Sequence, residues 1–144
     1  VPGCKDQEIV VVSRQNNSGT YAYFREAVLG EQDFRLGTRD MHGSKDVVDL
    51  VEKTPCAIGY SGLAYTTDHV KMPCVSQEPG SACVAPSVDS AVDGSYPIAR
   101  PLFMYTNGEP TGHIGDYLNW IKSDVGQCII LVKGYAPAKP VSCG

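Results

Sequence analysis

The chain has 144 residues with a net charge of −4, 42% hydrophobic and 19% charged residues, the balance of one globular domain or one lobe of a larger protein. Its longest apolar run, Cys128 to Val132, is five residues, far short of the roughly 18 that a membrane-spanning helix needs. Lys and Arg form no cluster, which argues against nucleic acid and against an acidic membrane surface as partners.

In chain order, Glu8–Ser13 (EIVVVS) reads as a buried strand of β-formers between polar ends. Arg14 to Thr20 is a polar turn containing Gly19. From Thr20 to Leu29, Tyr21, Phe24 and Val28 fall on one helical face, and Gly30 ends the helix. A second helix starts at Ser44 as N-cap, with Asp46 in its first turn, Val47, Val48, Leu50 and Val51 as its core face, and Pro55 as its stop. Ala57–Tyr60 reads as a short second buried strand and His69–Val75 as a third. Residues 76–82 are a Gly/Ser/Pro-rich loop. Ser87 caps a short helix through Val92. Tyr96–Thr106 is a long extended run that Pro97 and Pro101 hold off a sheet centre at its start. Ile114, Tyr117, Leu118 and Ile121 repeat on one helical face, with Trp120 at its border. The tail from Gly126 is ambiguous: its β-branched run favours a strand, but it follows a helix directly. Strands alternating with helices predict α/β with a mainly parallel sheet.

Six cysteines, Cys4, Cys56, Cys74, Cys83, Cys128 and Cys143, stand too far apart for a CxxC motif, so zinc-ribbon and redox-motif readings lose their support. An even count at wide spacing fits three disulfides in an oxidising compartment; six buried thiols in a cytosolic chain is the other reading. Cys74 and Cys83 flank a turn-rich loop and pair first. Val1 opens the chain without Met or leader, which reads as a processed or excised segment.

One segment carries chemistry: strand, then Arg14-x-x-x-Ser18-Gly19-Thr20, then helix. A helix start leaves backbone N–H groups unpaired and carries about half a positive charge. Gly19 admits a ligand close to the backbone, Ser18 and Thr20 add hydroxyls, and Arg14 adds a planar fork suited to an oxyanion. Together they describe an anion site. A helix cap and a solvated Arg would account for the same residues.

No catalytic constellation competes. Gly59-Tyr60-Ser61-Gly62 lacks the final glycine of a nucleophile elbow, since position 63 is Leu63. His42, His69 and His113 are scattered among turn residues, and the carboxylates form no pair suited to hydrolysis or metal binding. Asn16-Asn17-Ser18 is formally a glycosylation sequon but reads better as ligand loop. The chain is expected to be neither an enzyme nor a holder of metal or cofactor.

The segment Ser13–Gly30 (SRQNNSGTYAYFREAVLG) resembles the SRxxxSGT motif and aromatic-rich helix of PstS-like phosphate-binding proteins of bacterial phosphate ABC transporters. The blocks MHGSKDVVDLV, PCAIGYSGLAY, DGSYPIARPLFMYTNGEPTG, YLNWIKSDVGQ and KGYAP resemble the same family, in order, from about Ile9 to Pro137. The resemblance implies a type II periplasmic-binding-protein lobe with a mainly parallel sheet. It implies that residues 1–95 are the second, anion-binding lobe, and that residues 96–144 cross back to complete the first. It places phosphate donors on Arg14, Ser18, Gly19 and Thr20. Asn16 stands where the family often has an Asp that orients the Arg, which implies a less constrained guanidinium. It further implies a periplasmic or extracellular location, delivery to a membrane permease and its ATPase, and a missing N-terminal half-lobe supplied by a second chain or neighbouring subunit. With that fold, Cys4 pairs with Cys56 and Cys128 with Cys143. A structural or assembly subunit that reuses this lobe is the alternative, and a phosphatase is a weaker third.

Overall fold

The run Val10-Val-Val-Ser-Arg14 has no helical periodicity and forms the central strand, β1, of a three-stranded parallel sheet. The computed structural model describes Cys4 and residues 8–144. They divide into two compact units, Val1–Met72 and Pro73–Gly144.

In the first unit, β2 (Arg39–Met41) and β3 (Ala57–Gly59) flank β1 in the order β2-β1-β3. Arg14 is in register with Met41, and Val12 with Gly59, so the three strands end along one edge. Sequence patterning did not single out β2. It has only three residues, two of them charged and exposed, as befits an edge strand whose pairing with β1 stands in for intrinsic propensity.

Helix α1 (Gly19–Ala27) follows β1, and α2 (Ser44–Lys53) follows β2. Val47 of α2 lies against Gly59, where an added Cβ would come 2.9 Å from its Cγ1. Phe24 of α1 stacks on the next residue, Tyr60, with ring centroids 4.0 Å apart. Successive residues of an extended chain face opposite sides, so α1 and α2 cover opposite faces of the sheet. Val12, Ser13, Val47, Val48 and Cys56 form the buried centre of this unit. Tyr21 and Phe34 extend the aromatic cluster at 4.6 Å. Val28, expected in the core face of α1, is 44% exposed beyond the cluster's end.

Gly43, not Ser44, occupies the N-cap of α2. The Gly43 N–H donates to Asp46 Oδ2 (2.8 Å), so the acidic first turn supplies the cap, and Ser44 is the first helical residue.

The second unit holds α3 (Val88–Val92), α4 (Gly112–Lys122) and α5 (Asp124–Val132). Ser87 caps α3 by accepting from Ser90 N–H at 3.0 Å. The tail segment whose β-branched run suggested a strand is helical. Ser123 Oγ accepts from Gly126 N–H (3.4 Å), starting a fresh helix at the end of α4. Gly126 is buried in that corner, and its missing Cβ leaves room for the Trp120 and Ile121 carbonyls. Gln127 is buried and spans the corner, donating to Ile121 O (2.9 Å) and accepting from Ala138 N–H (2.6 Å).

Three expectations are corrected here. The strand His69–Val75 does not form; only Val75 pairs, as an antiparallel bridge to Val84 that closes the neighbouring loop. Tyr96–Thr106 joins no sheet among the described residues, and Leu102, Phe103, Met104 and Tyr105 are 68%, 68%, 59% and 90% exposed. On α4, Leu118 and Ile121 are half-buried but Ile114 and Tyr117 are exposed, because only part of the apolar face is covered by the rest of the unit.

All six cysteines pair: Cys4–Cys56, Cys74–Cys83 and Cys128–Cys143, with Cα separations of 5.3, 5.3 and 5.6 Å. The first ties Cys4 to the turn that enters β3; the last closes the tail onto α5.

Candidate anion site at the carboxyl edge of the sheet

The chain leaves β1 towards β2 on one side and later returns to β3 on the other. This reversal makes the carboxyl end of β1 a topological switch point, the position at which open α/β sheets receive ligands. Arg14 closes β1, and a tight turn follows in which Ser18 N–H donates to Gln15 O (3.0 Å).

Ser18 is buried and is the N-cap of α1. Its Oγ accepts from the N–H groups of Thr20 (3.2 Å) and Tyr21 (3.5 Å). The cap occupies the oxygen and leaves the hydroxyl proton available to an anion. Gly19 N–H pairs with no acceptor among the described residues. The expected donors Ser18, Gly19 and Thr20 thus occupy consecutive positions at the positive end of a nine-residue helix.

Arg14 is held more firmly than its loop suggested. Its Nε and Nη2 both donate to His42 O (3.2 and 2.9 Å), and Nη1 donates to Ser44 Oγ (2.7 Å). Asn16 is exposed on the turn and is not among these partners. The expectation of a loose guanidinium is therefore corrected: the β2–α2 turn constrains it.

Behind Arg14, Ser13 Oγ and Tyr60 Oη share a hydrogen bond of 2.7 Å, and Arg14 N–H donates to Tyr60 Oη (3.3 Å). Burial raises the Tyr60 phenol above its usual value, against the opposing effect of its Ser13 and Arg14 hydrogen bonds. Ser61, the serine of the incomplete elbow, donates to Ser44 O (3.0 Å) and so ties β3's end to α2. His42 shares a hydrogen bond from Nδ1 with Gln15 Oε1 at 3.1 Å. Sequence reasoning missed Ser13, Ser44 and Tyr60 as members of the site. The available signal was that each borders a strand or helix end on the edge to which Arg14 belongs.

Residues 2–125 match the PBP superfamily domain. The chain belongs to the periplasmic-binding-protein (PBP) superfamily. It is 34% identical over 133 residues to the phosphate-binding protein PstS of Pseudomonas aeruginosa, covering 90% of this chain and 41% of that protein. It is 36% identical over 137 residues to PstS of Bacillus subtilis, covering 94% and 43%. Among solved structures it is similar to a Clostridium perfringens substrate-binding protein, assigned to a phosphate ABC transporter and holding bound phosphate. That match has a TM-score of 0.78 and 28% identity, covering 94% of this chain and 54% of the other. A phosphate-binding protein of a phosphate ABC transporter from Streptococcus pneumoniae gives a TM-score of 0.73 at 26% identity, covering 93% and 53%. This PBP-superfamily chain therefore spans about half the length of these relatives, or less.

Proposed function

We propose that this chain carries one side of a receptor for inorganic phosphate, with Arg14, Ser18, Gly19 and Thr20 as the contacting residues. The observation that carries the reading is a capped helix N-terminus that follows, after one tight turn, the strand-end Arg14 whose guanidinium is fixed. Arg14 meets the anion's charge, the Gly19 N–H donates to its oxygens, and the hydroxyls of Ser18 and Thr20 complete the set, the Thr20 N–H being held by the Ser18 cap. The names of the PstS relatives support phosphate as the ligand. The role is binding and delivery, not catalysis, and it needs neither metal nor cofactor.

In this reading residues 1–95 belong to the anion-binding lobe and residues 96–144 return into the other lobe, a boundary that differs from the division of the compact units at Met72 and Pro73. Micromolar affinity requires about 8 kcal/mol. Each charge-assisted hydrogen bond contributes about 1.5–3 kcal/mol before the cost of association, and one open side leaves water competing for every oxygen. A complementary half-lobe, from a second chain or neighbouring subunit, completes the cage in this reading, and a membrane permease with its ATPase receives the phosphate. Three disulfides fit a periplasmic or extracellular setting.

One observation favours an alternative, a structural or assembly subunit that reuses the lobe. Leu102–Tyr105 form an exposed apolar run of the kind that pairs with another chain. Calorimetric titration with phosphate separates the two. Saturable binding abolished by Arg14→Ala is the result expected of a receptor. Self-association that persists without phosphate, together with no heat of binding, would establish the assembly role instead.

A further inference from the structure

Arg14 receives its orientation from residues 28 and 30 positions away. We propose that Ser44, acting with the His42 carbonyl, is the positioning element that aims the Arg14 guanidinium at the anion. The inference rests on the phosphate-binding reading and specifies how that site is organised.

A guanidinium has five N–H donors in one plane. Three of them are taken by two acceptors: Nε and Nη2 by His42 O, and Nη1 by Ser44 Oγ. Two acceptors at different edges of the group fix its plane and its rotation, and two N–H donors remain for a ligand. Both acceptors are neutral. A carboxylate in their place would orient the group equally well but would offset the positive charge that the anion is meant to meet. The clamp orients Arg14 and leaves its charge unpaired by any carboxylate contact among the described residues.

The clamp is itself anchored. Gln15 N–H donates to Met41 O (3.0 Å), Gly43 N–H donates to Asp46 Oδ2 (2.8 Å), and Ser61 Oγ donates to Ser44 O (3.0 Å). The ends of all three strands therefore converge on the turn that holds Arg14. Asn16, on Arg14's own loop, takes no part in it.

The test compares Ser44→Ala and Ser44→Thr with the unmodified chain, reading phosphate affinity by calorimetry and the Arg14 Nε–H by 15N NMR. An ordered guanidinium gives a protected, observable Nε–H signal; a free one exchanges with water. Ser44→Ala is expected to lose that protection and to weaken phosphate binding about 3- to 10-fold, the scale of leaving one long side chain to be ordered on binding. Ser44→Thr, which keeps the hydroxyl, is expected to restore both. A Ser44→Ala chain whose Arg14 Nε–H is as protected as before would overturn the proposal. Loss of protection in Ser44→Ala, in a protein whose unmodified form binds no phosphate, would keep the clamp and overturn the phosphate reading.

Discussion

Ser18 caps α1 with one atom and, under the proposed function, would serve the ligand with another, and two substitutions separate the roles. The cap uses the lone pairs of Oγ, which accept from Thr20 and Tyr21 N–H at 3.2 and 3.5 Å. The anion would use the hydroxyl proton. Ser18→Ala removes both, and loss of such a cap costs about 1 kcal/mol of stability, a fall in Tm of about 2–4 °C for a chain of this size. Ser18→Gly removes both atoms too, but glycine at an N-cap costs only a few tenths of a kcal/mol, because without a side chain there water can reach the freed N–H groups. The Ser18 backbone, at φ −89° and ψ 131°, is open to either residue. A hydroxyl-to-anion hydrogen bond contributes about 1.5 kcal/mol or more, so phosphate affinity should fall about tenfold or more in both variants. Only Ser18→Ala should show the full loss in Tm. Calorimetry beside thermal melts reads the two quantities on the same samples. Affinity that tracks Tm, intact in Ser18→Gly and reduced in Ser18→Ala, would show that Ser18 acts only as a cap and would remove it from the ligand set.

Gly126→Ala should destabilise the second unit by about 1–3 kcal/mol or more, since the new Cβ would sit 2.5 Å from Trp120 O and 2.7 Å from Ile121 Cα, backbone atoms that cannot swing aside. Trp120 is the single tryptophan, so its fluorescence reports that unit's transition directly, and an unchanged midpoint would refute the close approach. Tyr60→Phe should cost about 1 kcal/mol at neutral pH through the lost Ser13 and Arg14 N–H contacts. It should also soften the alkaline decline in stability. The folded state keeps the Tyr60 proton where the unfolded chain loses it, so stability is fully present below about pH 10 and falls as pH rises through the higher folded-state value. Urea midpoints from pH 8 to 11 test this, and parallel declines in the two proteins would contradict it; Tyr96, whose phenol burial also raises, contributes to what remains.

The sequence made visible whatever depends on neighbours along the chain. β1, α1, α2, β3, α3 and α4 all follow from a run of β-formers, an apolar face or a capping serine within a few positions. The proposed donors Arg14, Ser18, Gly19 and Thr20 stood out for the same reason: they share one short loop between a strand and a helix. The third helix of the second unit defeated the same logic. The β-branched run of α5 favours a strand, yet Ser123 starts a helix there and the contacts of Gly126 and Gln127 with the end of α4 decide the outcome. β2 was hidden because Arg39-Asp40-Met41 has no intrinsic strand character and exists as the partner of an otherwise unpaired edge of β1.

The partners of Arg14 belong to that hidden class, and the reason is structural. They are set by the register that aligns Arg14 with Met41, which carries the next residue's carbonyl, and Ser44 beyond it, to the guanidinium. A shift of β2 by one residue would present a different carbonyl and move Ser44 away, with no change in the motif from Arg14 to Thr20. Under the proposed function the loop supplies the donors, and the sheet supplies their aim. A chain could keep Arg14, Ser18, Gly19 and Thr20 intact and still present a poorly directed guanidinium if the β2 register or Ser44 were altered. Here the acceptors on the β2–α2 turn are neutral, and under the proposed function they orient Arg14 without the charged loop residue that Asn16 replaces.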